Sequence, residues 1–136
     1  MPPDARAKEV AAWLSRAELD LRAAEVDLGV DPPLLADAAF HCQQAVEKAL
    51  KGFLTHHDHV FRQTHDLGEL ALACLEHQPS LEALLRESAP LTEYAWRFRY
   101  PGEVFEPDRL EVEAALEVAH RVVEHVRMAV RGTSGV

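Results

Sequence analysis

The sequence is poor in features that mark several classes of protein. It has six glycines and no glycine-rich loop of the GxxxxGK[ST] or GxGxxG kind, which excludes the two common phosphate-binding loops. No window of about 18 residues is apolar and uncharged, which excludes a membrane-spanning helix. Positive charge is scarce, because the chain has 14 lysines and arginines but 23 aspartates and glutamates, which gives a net charge of -9. Proteins that wrap a nucleic-acid backbone are usually basic, so a nucleic acid would need a local basic patch.

Cysteine is also rare. The two cysteines, Cys42 and Cys74, occupy apolar positions of predicted helices, and no CxxC pair is present. A small domain held together by disulfides would carry more of them. We therefore expect two reduced, buried thiols in a cytoplasmic protein. The polar start of the chain, which lacks the apolar run of a signal peptide, agrees with that expectation.

Helical periodicity dominates what is present. Apolar residues make up 48% of the 136 residues, enough for the core of one domain. In the stretch 38–54, apolar side chains recur every three or four residues, which predicts the central helix of a bundle. Its polar face carries His41, Gln44, Lys48 and Lys51. A Glu47–Lys51 pair, four residues apart, would stabilise that face without any ligand.

Cap and turn signals divide the chain into five helices. They are predicted at about 4–28, 31–55, 66–77 and 81–100, with the last from 108 onward. Asp31, Asp66, Ser80 and Asp108 are the predicted N-caps, and Pro90 should kink or split the fourth helix near Ser88. The sequence therefore predicts an all-α fold, an up-and-down antiparallel bundle of four long helices plus one short helix. We expect a single domain, 1–136, with its core at about 4–131 and a flexible tail at 132–136.

Other catalytic or metal-binding patterns are weak. Histidines follow the central helix at His56, His57, His59 and His65. A zinc site prefers HxxxH on one helix face or cysteine partners, and this segment offers neither, so the sequence predicts no metal site. No GxSxG turn is present. His41 and Cys42 do not form a nucleophile–base pair, because adjacent helical residues point about 100° apart.

Four pieces of the chain resemble one family when taken in order. They are Leu19, Asp20 and Ala24 in the first helix, the stretch 38–54, Thr64–Leu67, and Tyr94–Pro101 with its Arg99-Tyr100-Pro101 triplet. Together they resemble the HEPN domain ("higher eukaryotes and prokaryotes nucleotide-binding") over about Val10 to Val130. The resemblance implies a helical bundle, commonly a homodimer. It also implies a gene often found beside that of a small nucleotidyltransferase, for which the HEPN protein is a nucleotide- or substrate-binding partner.

The same resemblance bears on catalysis. Many HEPN relatives are metal-independent RNases that act as toxins, and their active site is an arginine followed after four to six residues by a histidine. No arginine of this chain has a histidine at that spacing. Arg62 and His65 are separated by two residues, and Arg121 and His125 by three. We therefore expect a non-catalytic subunit without cofactor or metal ion, in a nucleotidyltransferase or toxin–antitoxin context.

The candidate ligand site joins two polar segments that are far apart in the sequence. Its residues are His41, Gln44, Lys48, Arg97, Arg99 and Tyr100. Lysine and arginine bind phosphate oxygens, and an aromatic ring stacks on a base. If both segments line one cleft, that cleft suits a nucleotide or the end of an RNA.

Other interpretations stay open. The chain would be a non-standard RNase if Arg97 or Arg99 met His41 or His65 in the fold, because acid–base catalysis needs proximity and not adjacency in sequence. It would be a purely structural dimerisation module if the arginines pointed into solvent, and the polar stripe would then be a solvated helix face. The wide apolar surface of the last helix predicts a homodimer.

Overall fold

The computed structural model describes residues 1–95 and 106–134, apart from the side chains of 133 and 134. Within these ranges the chain forms helices and no strand. The α-helices are α1 (Pro3–Gly29), α2 (Leu35–His56), α3 (Leu67–Leu75), α4 (Glu82–Ser88) and α5 (Arg109–Ser134). Short 3-10 segments lie before and after α4, at Pro79–Leu81 and Ala89–Ala95. The predicted all-α bundle is confirmed.

The centre of the bundle is α2. It packs most extensively against α1, then against α5, and α3 and the 3-10 segment Ala89–Ala95 cover the rest of it. Fourteen of its 22 residues are buried, so it is enclosed on more than one side, as its wide apolar stripe indicated. The helices approach closely at Gly52, where a Cβ atom would lie 3.1 Å from Trp13 Cβ on α1.

Two of the four predicted helix caps are confirmed, those at Asp66 and Asp108. The predicted Ser80 cap is wrong, because α4 begins at Glu82 with Leu81 at the cap position and no side-chain cap. Asp66 Oδ1 accepts hydrogen bonds from the backbone N–H groups of Gly68 at 2.9 Å and Glu69 at 3.4 Å, at the start of α3. Asp108 Oδ1 accepts from the N–H of Glu111 at 2.8 Å, at the start of α5. Each carboxylate thereby satisfies backbone donors that have no partner within the helix.

The predicted cap of α2 is wrong. The sequence placed Asp31 at the cap, but α2 begins at Leu35 and has no side-chain cap. Pro33 disfavours helical geometry at the residue before it, so the helix starts only after the two prolines. The connection is held instead by the backbone N–H of Leu34, which donates to the carbonyl of Asp27 at 2.9 Å.

The predicted fourth helix, 81–100, is interrupted as expected. The α-helix ends at Ser88 and continues as the 3-10 segment that contains Pro90, because proline has no N–H to donate within a helix. Residues 96–100 of the predicted helix lie outside the described residues. Of the five α-helices, α1, α2 and α5 are therefore long, and α3 and α4 are short. The last helix continues to Ser134, into the stretch 132–136 that is predicted as a flexible tail.

Both cysteines are buried and free, as predicted. Burial raises the pKa of the Cys74 thiol to about 12. Burial, together with the carboxylates of Asp20 and Asp27, raises the pKa of the Cys42 thiol to about 12. Both thiols are therefore protonated at neutral pH and are poor nucleophiles.

Membrane insertion would require a helix that is both long and predominantly apolar. No helix in the described part of the chain combines these two properties.

Candidate functional site

A buried carboxylate on α1 gathers two polar residues of α2. Asp20, only 7% exposed, accepts a hydrogen bond from Lys48 Nζ at 2.5 Å. Its other oxygen lies 2.8 Å from His41 Nδ1. His41 and Lys48 are seven residues apart on α2, about two helical turns, and therefore lie on one face. These three residues are named the Asp20 cluster.

Two further carboxylates adjoin this cluster. His41 Nε2 lies 3.4 Å from Asp37 Oδ2, and the buried Asp27 lies beside both, with one polar atom of each of the three residues within 4.8 Å of the others. Burial, a side-chain hydrogen bond with Asp37 and the charge of Asp37 raise the pKa of Asp27 to about 6, and the charge of His41 opposes the rise. The imidazole of His41 thus lies between the carboxylates of Asp20 and Asp37. It can donate to both only when it is protonated.

A second buried carboxylate, Glu47, organises the next turns of α2. It is 3% exposed and accepts hydrogen bonds from Gln43 Nε2 at 3.0 Å and Lys51 Nζ at 3.0 Å. Glu47 Oε1 also lies 2.7 Å from Nδ1 of His65, in the segment between α2 and α3. Gln44 Nε2 donates to Gln43 Oε1 at 2.6 Å and extends these contacts to the surface. Gln43, Glu47, Lys51 and His65 are named the Glu47 network.

The predicted polar face of α2 is therefore corrected in part. The sequence placed Lys51 on an open polar face and Gln43 and Glu47 at its margins, but all three are buried. The predicted Glu47–Lys51 pair is confirmed, and it explains how these charges are tolerated inside the fold, since buried charges need a partner.

A groove of about 560 Å3 runs beside the Glu47 network. Its lining residues are Glu9, Trp13, Lys51, Phe61, Gln63, Thr64 and His65. The ammonium group of Lys51 lies 5.6 Å from the ring centroid of Trp13. The side chain of His65 is 67% exposed, so this groove presents an imidazole whose Nδ1 is held by a buried carboxylate.

The other half of the predicted ligand site follows Tyr94 in the sequence. Arg97, Arg99 and Tyr100 lie outside the described residues, so their sharing a cleft with α2 stays a prediction. Tyr94, just before them, is buried, and its hydroxyl donates to Glu111 Oε1 at 2.5 Å. On α2, the predicted residues His41, Gln44 and Lys48 do lie together, each partly exposed.

Sequence reasoning missed the carboxylates that hold this site together. Their charge predicts Asp20 and Asp27 on the outer face of the first helix, but both are buried. The signal was present in their spacing. With the buried Ala17 and Ala24 they recur every three or four residues, so they share the core-facing stripe of α1. A carboxylate on such a stripe implies a buried cation or donor opposite it.

These observations can be compared with known proteins. The HEPN domain model matches residues 10–129. The chain belongs to the HEPN domain family. A comparison with curated proteins gave no match.

Two solved structures resemble this HEPN chain along most of its length. One is TT1696 from Thermus thermophilus, which is 30% identical, covers 88% of this chain and 96% of its own, and superposes with a TM-score of 0.76. The other is ST0689, an archaeal HEPN homologue, which is 23% identical, covers 89% of this chain and 97% of its own, and has a TM-score of 0.67. The second likeness shows the fold alone.

Proposed function

We propose that this HEPN chain is a non-catalytic subunit that binds a nucleotide or the end of an RNA beside the Asp20 cluster. The observation that carries the proposal is the pairing of one buried carboxylate with both His41 and Lys48 at the edge of the α1–α2 contact. Asp20 anchors two donor side chains in fixed positions before any ligand arrives. Such preorganisation lowers the entropy lost on binding.

Lys48 has hydrogen-bonding capacity to spare. An ammonium group carries three N–H donors, and one of them is directed at Asp20. The side chain is 22% exposed, so the remaining donors are available to a phosphate oxygen. The proposed role of Asp20 is therefore to position Lys48 without consuming its capacity to bind an anion.

The charge of the surroundings limits the ligand. Three carboxylates, Asp20, Asp27 and Asp37, lie among the two basic side chains of the cluster. This half of the site is therefore not cationic by itself, and the proposal needs Arg97 or Arg99 to supply positive charge to the phosphate. A long nucleic-acid backbone would also be repelled by the protein's net charge of -9. A mononucleotide or an RNA end fits these charges better than a duplex.

The contacts of His41 support a non-catalytic role. Both imidazole nitrogens lie near protein carboxylates, at 2.8 and 3.4 Å. A general base needs a nitrogen within hydrogen-bond reach of the ligand proton that it removes. Nδ1 of His41 is hydrogen-bonded to Asp20, and Nε2 faces the Asp37 carboxylate. The missing Arg–His spacing of the family's RNases agrees with this interpretation.

Titration calorimetry with ATP and with short 5′-phosphorylated RNAs tests the proposal. We expect Lys48→Met and Arg99→Ala each to weaken binding on the order of 10-fold, because each removes a charged hydrogen-bond donor to phosphate. Lys8→Met and Arg86→Ala, at exposed positions on α1 and α4, are the matched controls and should bind as the unmodified protein does. If all five proteins bound the ligands equally well, neither Lys48 nor Arg99 would be part of the binding site.

We also propose that the subunit works as a homodimer with a nucleotidyltransferase as its partner. Exposed apolar side chains on the two outer long helices support a protein contact. They are Leu19 and Val26 on α1 and Leu110 and Met128 on α5. Sedimentation velocity at micromolar concentration should show a dimer, and co-expression with a nucleotidyltransferase encoded beside it should yield a complex. A monomer that binds no such enzyme would contradict this part of the proposal.

The Glu47–His65 contact favours a second candidate function, a metal-independent RNase. Glu47 holds His65 Nδ1 at 2.7 Å, and a carboxylate that binds one imidazole nitrogen orients the other as an acid or base. His65 lines the groove beside Trp13 and Phe61, where a base could stack.

RNA incubated with the protein in the presence of EDTA separates the two candidates. Cleavage that is lost in His65→Ala but kept in His41→Ala would favour the RNase. If no RNA is cleaved under any condition, the RNase function is refuted.

A further inference from the structure

Four imidazoles converge where α2 and α3 end. The rings of His57 and His77 are stacked, with centroids 4.4 Å apart and planes 12° from parallel. His59 Nδ1 lies 2.8 Å from His77 Nε2, and His56 packs edge-on against His57. A carboxylate oxygen of Glu76 lies 3.7 Å from the same His59 nitrogen. This group shares no residue with the Asp20 cluster or the Glu47 network.

The backbone fixes the position of His59. Its N–H donates to the carbonyl of Leu54 at 2.9 Å, and the N–H of Asp58 donates to that of Thr55 at 3.0 Å. Asp58 has a φ of 53°, the left-handed geometry that closes a helix with this pair of hydrogen bonds. His59 therefore follows a defined turn and not an open loop.

His77 is held in a comparable way at the end of α3. The N–H groups of His77 and Gln78 both donate to the carbonyl of Cys74, at 3.0 and 3.1 Å. The His77 ring also meets the buried Phe53 edge-on, with ring centroids 6.4 Å apart. Both histidines are thus supported by helix ends that belong to the core, which is the support that a metal ligand needs.

We propose that His59, Glu76 and His77 bind a divalent transition-metal ion, with Zn2+ the best fit. Their ligand atoms all lie within 4.8 Å of one another. Tetrahedral zinc with bonds of about 2.0–2.2 Å places neighbouring ligand atoms roughly 3.4 Å apart, and the 2.8 and 3.7 Å separations bracket that value. Two imidazoles and one carboxylate leave a fourth position for water.

The ion would connect the ends of α2 and α3, which are separated in the sequence by the segment between them and by α3 itself. His59 and His77 are 18 residues apart, and the metal would close that loop through side chains. A bound ion stabilises only the folded chain, because these ligands converge only after α2 and α3 have packed. Its expected effect is therefore to stabilise the packed ends of α2 and α3, and it would enter from the side of Glu76, whose side chain is 68% exposed.

Titration of the tag-free protein with Zn2+ tests the site, and Co2+ supplies a spectroscopic probe. We expect one tightly bound zinc ion per chain and visible absorption typical of tetrahedral cobalt. His59→Gln and His77→Gln should each weaken binding on the order of 100-fold or more, since loss of an outer-shell partner alone weakens metal sites by about 10- to 100-fold. His125→Gln, at an exposed position on α5, should bind as the unmodified protein does.

A third variant distinguishes loss of metal binding from misfolding. His77 contacts Phe53 in the core, so its replacement also changes packing, whereas the Glu76 side chain lies largely in solvent. Glu76→Gln should therefore keep the metal-free melting temperature but lose most of the rise that Zn2+ produces. Zinc affinity, stoichiometry and melting-temperature rise that are the same in Glu76→Gln, His59→Gln and the unmodified protein would overturn the proposal.

Discussion

Removing the Glu47 carboxylate alone should destabilise the fold far more than removing it together with Lys51. Both side chains are nearly enclosed, and Glu47→Met leaves the Lys51 ammonium without its 3.0 Å partner. Breaking a buried pair in this way costs about 3–5 kcal/mol, a large share of the about 5–15 kcal/mol that holds a domain folded. Gln43 also loses an acceptor, which adds about 1 kcal/mol. In Glu47→Met/Lys51→Met no buried charge is left without a partner, so only the about 1–2 kcal/mol of the lost contacts with Gln43 and His65 should be missing.

Urea denaturation followed by circular dichroism gives the unfolding free energy of the four proteins in this cycle. We expect a coupling energy of about 2 kcal/mol or more between the two positions. The exposed Glu82–Arg86 pair on α4 has the same spacing in sequence, and its cycle should give about 0.5 kcal/mol or less. If the losses in unfolding free energy caused by Glu47→Met and Lys51→Met simply added in the double variant, the two side chains would not be coupled. The reasoning about their burial would then be wrong.

Three further predictions concern single positions. The raised pKa of Asp27, about 6 against an ordinary 3.8, means that the folded chain holds this proton more tightly than the unfolded chain. The stability it contributes is therefore present below about pH 4 and is lost as the pH rises through about 6. Asp27→Asn should raise the unfolding free energy by about 1–3 kcal/mol at pH 7.5 and by little at pH 4, and urea titrations that show the same change at both pH values would contradict this. Asp66→Ala should cost about 1 kcal/mol because two N–H groups of α3 lose their acceptor, and an unchanged urea midpoint would refute the role of the cap. Gly52→Val should cost about 1–3 kcal/mol in thermal unfolding because its Cβ would crowd Trp13, and a melting temperature equal to that of the unmodified protein would show that α1 moves aside freely.

Local interactions explain what the sequence predicted well. The caps at Asp66 and Asp108 depend on backbone donors two or three residues away. The interruption near Ser88 depends on the missing N–H of Pro90. Each of these effects acts within one helical turn, so a short stretch of sequence contains the whole interaction. The number and order of the α-helices in the described residues followed from the same local signals.

Contacts between distant residues explain what the sequence did not predict. Asp20 meets Lys48 across 28 positions, and His59 meets His77 across 18. Neither pair has a pattern at short spacing, since each forms only when two helices pack. Burial of Asp20 also differs from its expected exposure: its spacing with Ala17 and Ala24 marks a core-facing position, but its charge favours the surface until the partners on α2 are known.

The pairing of Asp20 with two residues of α2 has a consequence for how the helices are aligned. The buried part of α2 contains several alanines, and so small a side chain offers little resistance to sliding along a neighbour. A shift of α2 by one turn, about 5.4 Å, that brought Gln44 or Ala45 to the place of Lys48 would also bring Asp37 or Ala38 to the place of His41, and the buried carboxylate would lose both partners. A shift in the other direction would replace His41 by Gln44 or Ala45 and lose that partner. Asp20 thereby selects a single register between α1 and α2. Across the family, the positions that correspond to Asp20, His41 and Lys48 should covary, because replacing one of them alone would remove the contacts that fix the register of α1 and α2.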